Sequence, residues 1–185
     1  MRGRAGQNPD SMAASDHPAA LDPAALAAQC EFRATRRSGP GGQNRNKVET
    51  AVVLTHKPTG ISAQASERRT QGENRRTALH RLRLELALTI RRPIQNSAER
   101  SYSPTNLWRK RCRGGRIDVS PEHDDFPALL AEALDVMFAS GDDPKATAGW
   151  LGCSPTQLIR FLKEAPRSMM SINDRRRAAG RHPLQ

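Results

Sequence analysis

The stretch Ser38-Gly39-Pro40-Gly41-Gly42-Gln43 holds three glycines in four positions and then a glutamine. Glycine admits positive φ and, lacking a Cβ, lets another molecule come close to the main chain. Pro40 stiffens the approach. Gln43 brings an amide that donates and accepts hydrogen bonds but does not titrate. A Gly-rich run followed by Lys47 raises the question of a phosphate cradle. The template G-x-x-x-x-G-K-[ST] fails, because Lys47 is followed by Val48. Taken alone, the run reads first as an exposed flexible loop. Other reactive residue types are not grouped. Cys30, Cys112 and Cys153 lie far apart, and His17, His56, His80, His123 and His182 make no ligand spacing with them. No metal site and no cofactor are expected. Cys30 reads as a core residue and His56 as the end of a strand.

Charge supplies the next constraint. The 185 residues carry 30 Lys+Arg against 19 Asp+Glu, a formal net charge of +11. Residues 30–118 hold twenty Lys/Arg and seven Asp/Glu, so this segment alone is +13 and the remainder −2. Such a concentration is the electrostatic footprint of a polyanion, nucleic acid before membrane. Nearly all these cations are arginines, whose forked donors suit phosphates and whose planes stack on bases. Phe32, Tyr102 and Trp108 are its few aromatics, so reading of single strands by stacking is not favoured. No apolar run is long enough for a membrane span, and the start MRGRAGQNPD lacks the apolar stretch of a secretory signal. With an odd, scattered cysteine count, which fits a reducing compartment better than a disulfide framework, these features point to the cytoplasm.

The elements that must hold the glycine run follow from local signals. Residues 1–21 are rich in Ala, Ser, Asp, Gly and Pro and read as disordered. Asp22-Pro23 opens a short helix over 23–29. Strands are predicted at 30–35, at 48–56 (VETAVVLTH) and at 61–66, the last two joined by the turn Lys57-Pro58-Thr59-Gly60. A long helix runs from Thr70 or Gln71 to about Thr89, with Ala78, Leu79, Leu82, Leu86 and Ala87 on one side and Arg75, Arg76, Arg81 and Arg83 over much of the rest. Residues 93–121 read as a basic linker that includes WRKRCRGGR. Residues 122–185 form a helical module, with helices predicted over 126–138, 144–151, 155–164 and 171–179. Its ATAGWLGCSPTQLIRFL has the shape of a helix-turn-helix.

The run RRSGPGGQNRNKVETAVVLTHKPTGISAQASERRTQGENRRTAL resembles the catalytic domain of the class I peptide chain release factors. More narrowly, it resembles their codon-independent, ribosome-rescue relatives. The pieces in order are Gly41-Gly42-Gln43, Asn46-Lys47-Val48, His56 with Pro58-Thr59-Gly60, and Glu67-Arg68 with Gln71 and Asn74-Arg75. Two departures stand out: Arg45 occupies a position where many relatives carry an apolar residue, and Arg69-Thr70-Gln71 replaces R-S-Q. The resemblance covers about 30–90 and implies a release-factor-like domain over 22–92. The fold class expected is therefore α+β: a small mixed sheet with a packed long helix and a projecting GGQ loop, then a small all-α module.

The resemblance further implies hydrolysis of the ester that joins a nascent peptide to the tRNA in the ribosomal P site. Gly41 and Gly42 would let the loop turn inside the peptidyl-transferase centre. The backbone N–H of Gln43 would donate to charge developing in the transition state, while its side chain admits water. Family members often carry a methyl group on this amide, so Gln43 is a candidate modification position and a glutamine methyltransferase a candidate partner. Arg36, Arg37, Arg45, Lys47, Arg68, Arg69, Arg75 and Arg76 would neutralise phosphates of the large-subunit rRNA and the tRNA, with Arg109, Lys110 and Arg111 as further RNA contacts. Only 29 residues precede Cys30, so no codon-reading domain is expected, and the protein is expected to be a monomer. The alternative is a non-catalytic ribosome- or RNA-binding protein that uses the same fold and its helix-turn-helix. A DNA-binding regulator is disfavoured because residues 119–166 hold eight acidic groups against Lys145, Arg160 and Lys163.

Overall fold

The computed structural model describes residues 17–35, 50–94 and 102–185. Its first sheet runs in the order β1 (Cys30–Thr35), β2 (Ala51–His56), β3 (Ser62–Ala65). Both pairings are antiparallel, with Cys30 opposite His56, Thr35 opposite Ala51, and Val52 opposite Ala65. A mixed sheet was expected; the connection from His56 to Ser62 accounts for the antiparallel pairing of β2 with β3. A turn this short joins only antiparallel neighbours, whereas a parallel pair needs a crossover of roughly a dozen residues. Gly60 takes φ 70° in that turn, a conformation that costs glycine nothing. Before the sheet, α1 (Pro23–Ala28) is capped by Asp22, whose carboxylate accepts from the N–H groups of Ala24 and Ala25.

Helix α2 (Gln71–Thr89) lies across one face of the sheet. Thr70 and Glu73 form a reciprocal capping box at its start, satisfying two of the donors every helix leaves open. Asn74, Ala78, Leu82 and Leu86 recur every four residues and are buried, which turns one stripe of the helix onto the sheet's own buried residues, Val52, Leu54 and Ala65. The class is α+β, as the sequence indicates.

Three expectations change. Residues 17–21 are ordered by contacts: His17 and Ala19 are buried in and beside a 3₁₀ turn (Pro18–Ala20). The His17 ring bonds the Ile90 carbonyl at 3.4 Å, and the Ala19 carbonyl accepts from Arg83 Nε at 3.0 Å. Residues 1–16 lie outside the described residues. The basic linker, second, is structured from 102 onward. It carries α3 (Asn106–Arg111) and a two-stranded hairpin, β4 (Cys112–Arg113) and β5 (Arg116–Ile117). Trp108 anchors it: its indole is buried, stands edge-on to Phe161 at 5.9 Å, and donates to the Leu151 carbonyl at 2.8 Å. One aromatic of this size brings enough apolar area to dock a segment that is otherwise polar. Third, no core boundary separates the two halves, since one apolar cluster extends from Ala19 through Leu54 and Leu86 to Leu134 and Ile172.

The remaining helices are α4 (Phe126–Ala139), α5 (Pro144–Leu151), α6 (Pro155–Lys163) and α7 (Pro166–Ala178). Helix α4 is buried on nearly every side. Gly152, at φ 67°, ends α5, and Ser154 caps α6, so the helix–turn–helix shape is present. Helix α7 begins five residues before the predicted start, because Pro166 takes the first helical position, where its missing N–H costs nothing.

Candidate nucleic-acid interface

Gly41, Gly42 and Gln43, with Arg36, Arg37, Arg45 and Lys47, fall in 36–49, outside the described residues; so does any modification of Gln43. The structure does describe the two ends that hold this segment. Thr35 closes β1 opposite Ala51, the first residue of β2. Thr50, just before it, is clamped from the helix. Asn74 is fully buried at the first turn of α2. Its Nδ2 donates to the carbonyl of Thr50 at 2.7 Å and to that of Arg68 at 3.1 Å, while its Oδ1 accepts the N–H of Arg68 at 2.9 Å. One side chain thus joins the return of the segment, the start of α2 and the backbone of Arg68. Sequence reading placed Asn74 within a motif but gave it no role. Its signal was a polar residue one turn before the apolar stripe Ala78, Leu82, Leu86.

That clamp gathers the cations. Arg68 and Arg69 are exposed in the β3–α2 connection, and Arg75 and Arg76 are exposed on the first turns of α2. The Arg75 guanidinium lies 5.6 Å from the centre of the Phe32 ring on β1, so this aromatic, 43% exposed, is covered by a cation rather than left bare. Arg81 is taken up locally: it pairs with Glu67 at 2.7 Å and donates to the Gln64 carbonyl. The Glu67 carboxyl is held below its usual range, first by the N–H of Ser66 and further by Arg81. His56 is a structural residue. It is buried, bonds Thr59 Oγ1 at 2.8 Å and Gln29 Oε1 at 3.1 Å, and burial lowers its pKa. It ties the hairpin turn to the end of α1. Cys30 is buried with its thiol donating to the Leu26 carbonyl, and burial raises its pKa, the opposite of what a nucleophile requires.

The other predicted contacts are not alike. Arg109 and Lys110 are exposed on α3. Arg111 is half-buried and spent internally, pairing with Asp125 at 2.7 Å and bonding His123. Arg83, expected on the outer face of α2, is buried and donates to the carbonyls of Ala19 and Asp124. Late in the chain, Arg175 grips buried Asp142 at 2.7 Å, and Arg176 donates to the Asp142 carbonyl. These arginines are braces. Of the predicted phosphate contacts among the described residues of the first half of the chain, Arg68, Arg69, Arg75 and Arg76 are exposed, next to the base of the segment that Asn74 clamps.

Residues 25–118 match the RF-1 domain family. Peptide chain release factor 1 of Chlorobaculum tepidum is 53% identical over 117 residues, which cover 63% of this chain and 31% of that protein. Peptide chain release factor 1 of Streptococcus thermophilus is 36% identical over 109 residues, 57% of this chain and 30% of that protein. Peptide chain release factor PrfB1, chloroplastic, of Arabidopsis thaliana is 54% identical over 52 residues, 28% of this chain and 11% of that protein. The chain spans less than a third of the length of each of these relatives.

Proposed function

Because the chain belongs to the RF-1 domain family, we propose that it releases nascent peptides by hydrolysing peptidyl-tRNA within the ribosome. The observation that carries this reading is the intact Gly41-Gly42-Gln43 inside the matched span, between two strands whose ends are paired and clamped. Water attacks the ester carbonyl carbon, the bond to the 3′ oxygen of the terminal adenosine breaks, and that oxygen takes up a proton. The chain contributes no titrating group to this step. The main-chain N–H of Gln43 donates to the oxygen on which charge develops, a contribution that in comparable sites is worth on the order of 10²–10³ in rate. Arg68, Arg69, Arg75 and Arg76 hold the domain against rRNA and tRNA phosphates, so association weakens steeply with salt. The finer reading is rescue of stalled ribosomes without a stop codon, in the cytoplasm, with Gln43 as a substrate for a methyltransferase. It rests on the resemblance of residues 30–90 to the codon-independent relatives.

The test is peptide release from purified ribosomes stalled on truncated mRNA. The parent chain is expected to free peptide, and Gly42→Ala is expected to abolish release while leaving binding intact. Release only when a stop codon is present would reject codon independence. Binding without any release, by parent and variant alike, would assign the chain to the non-catalytic RNA-binding class.

A further inference from the structure

We propose that the β4–β5 hairpin and helix α6 form a second RNA-binding surface, shaped for the phosphate backbone of a double-helical stem. The two elements are fastened to each other. The Gly115 carbonyl at the hairpin tip accepts the N–H of Ser154, the cap of α6, at 3.3 Å. Gly114 and Gly115 take φ 56° and 77°, so the turn needs only two residues and sets Arg113 directly opposite Arg116. Residues directly opposite in an antiparallel pair project from the same side. Arg116 from the hairpin and Gln157 and Arg160 from α6 then line one cleft of about 140 Å³, with Asp118 and Glu164 also on its walls.

The sequence argues against such a surface through the acidic count of residues 119–166; the fold weakens that objection by engaging five of the eight acids. Glu132 is enclosed and accepts from Tyr102 and Thr105. Asp135 and Asp142 are buried, Asp125 is bound by Arg111, and Asp143 caps α5. These five acids face inward or toward internal partners, whereas Glu122, Asp124 and Glu164 stay exposed. The side chains of Arg113, Arg116, Arg160 and Lys163 are exposed and make no hydrogen bond or ion pair with other described residues. Four unengaged cations against Asp118 and Glu164, on a hairpin and a helix joined through Gly115 and Ser154, leave this surface with the positive charge that a phosphate backbone complements. The Gln157 amide, a donor and acceptor between the two arginines, suits a ribose hydroxyl or a base edge. This surface is separate from the cations around Asn74 and does not depend on the hydrolytic reading.

The test is fluorescence anisotropy of the full chain with a labelled short RNA duplex, titrated over a range of salt. Arg116→Gln combined with Arg160→Gln is expected to weaken binding and to lower the slope of log affinity against log salt by about 1.8, two contacts at about 0.9 each. Arg160→Lys, which keeps the charge, is expected to retain the parent slope. Both positions are exposed, and circular dichroism of the double variant is expected to match the parent. An unchanged slope in the double variant overturns the proposal. Duplex binding that persists while ribosome pelleting weakens also overturns it, and would assign the cleft to a protein partner instead.

Discussion

Asn74→Asp isolates the clamp at the base of residues 36–49. The two side chains have the same shape, so the apolar packing of α2 is left in place. The orientation of the amide is dictated by its partners: two carbonyls, of Thr50 and Arg68, require donors, and one N–H, of Arg68, requires an acceptor. Aspartate keeps the acceptor and loses both donors, leaving a carboxylate facing two carbonyl oxygens. A carbonyl that loses its donor on burial costs about 1–3 kcal/mol. Two of them, partly relieved by water because Arg68 itself is exposed, give an expected loss of about 2–4 kcal/mol. Protonation restores one O–H donor, so the loss shrinks as pH is lowered. The assay is urea unfolding of parent and variant at several pH values, with hydrogen exchange followed at Thr50, Arg68 and Asn74. A loss below about 0.5 kcal/mol, the level of an ordinary surface change, would refute the reasoning. So would a loss that does not vary with pH.

Two further outcomes are expected. Burial lowers the pKa of His17 to about 4 and raises that of Asp135 to about 6. Between these values the unfolded chain binds the proton that folded His17 refuses, so His17 costs stability as pH falls from about 6.5 to about 4. Folded Asp135 keeps a proton that the unfolded chain releases, so it costs stability as pH rises from about 4 to about 6. The two oppose each other. Asp135→Asn, which retains an acceptor for the Arg92 N–H, is expected to expose the His17 slope, roughly 3 kcal/mol lost on acidification. Chemical denaturation across that range checks this, and equal slopes in parent and variant would sink it. Gly152→Ala places a Cβ in open space but at φ 67°, and is expected to lower stability by about 1–2 kcal/mol through backbone strain alone, read as a lower Tm with no change in core packing.

Much of the architecture was legible because its signals are local. Asp22-Pro23, Asp143-Pro144 and Ser154-Pro155 mark helix starts that the structure places at the same residues. Thr70 marks the start of α2, and β1 begins and ends where its residues indicate. Caps, prolines and turn glycines act on neighbours a few residues away, so a one-dimensional reading reaches them. Trp108 was the opposite case. Its surroundings in sequence are basic and glycine-rich, and the partners that bury it, Leu151 and Phe161, lie some forty to fifty residues on.

The same division applies to the candidate site. Sequence alone determined that a Gly-Gly-Gln triplet lies between two strand segments and that the chain on both sides of it is rich in arginine, because residue type and spacing are properties of the chain. Tertiary structure decided which charges reach solvent. Arg83, Arg111 and Arg175 became internal braces, Glu132, Asp135 and Asp142 were drawn inward, and Arg113, Arg116 and Arg160 were left facing out. A charge counts toward a partner only when no nearer group engages it, and the nearer groups are brought by folding from distant parts of the chain.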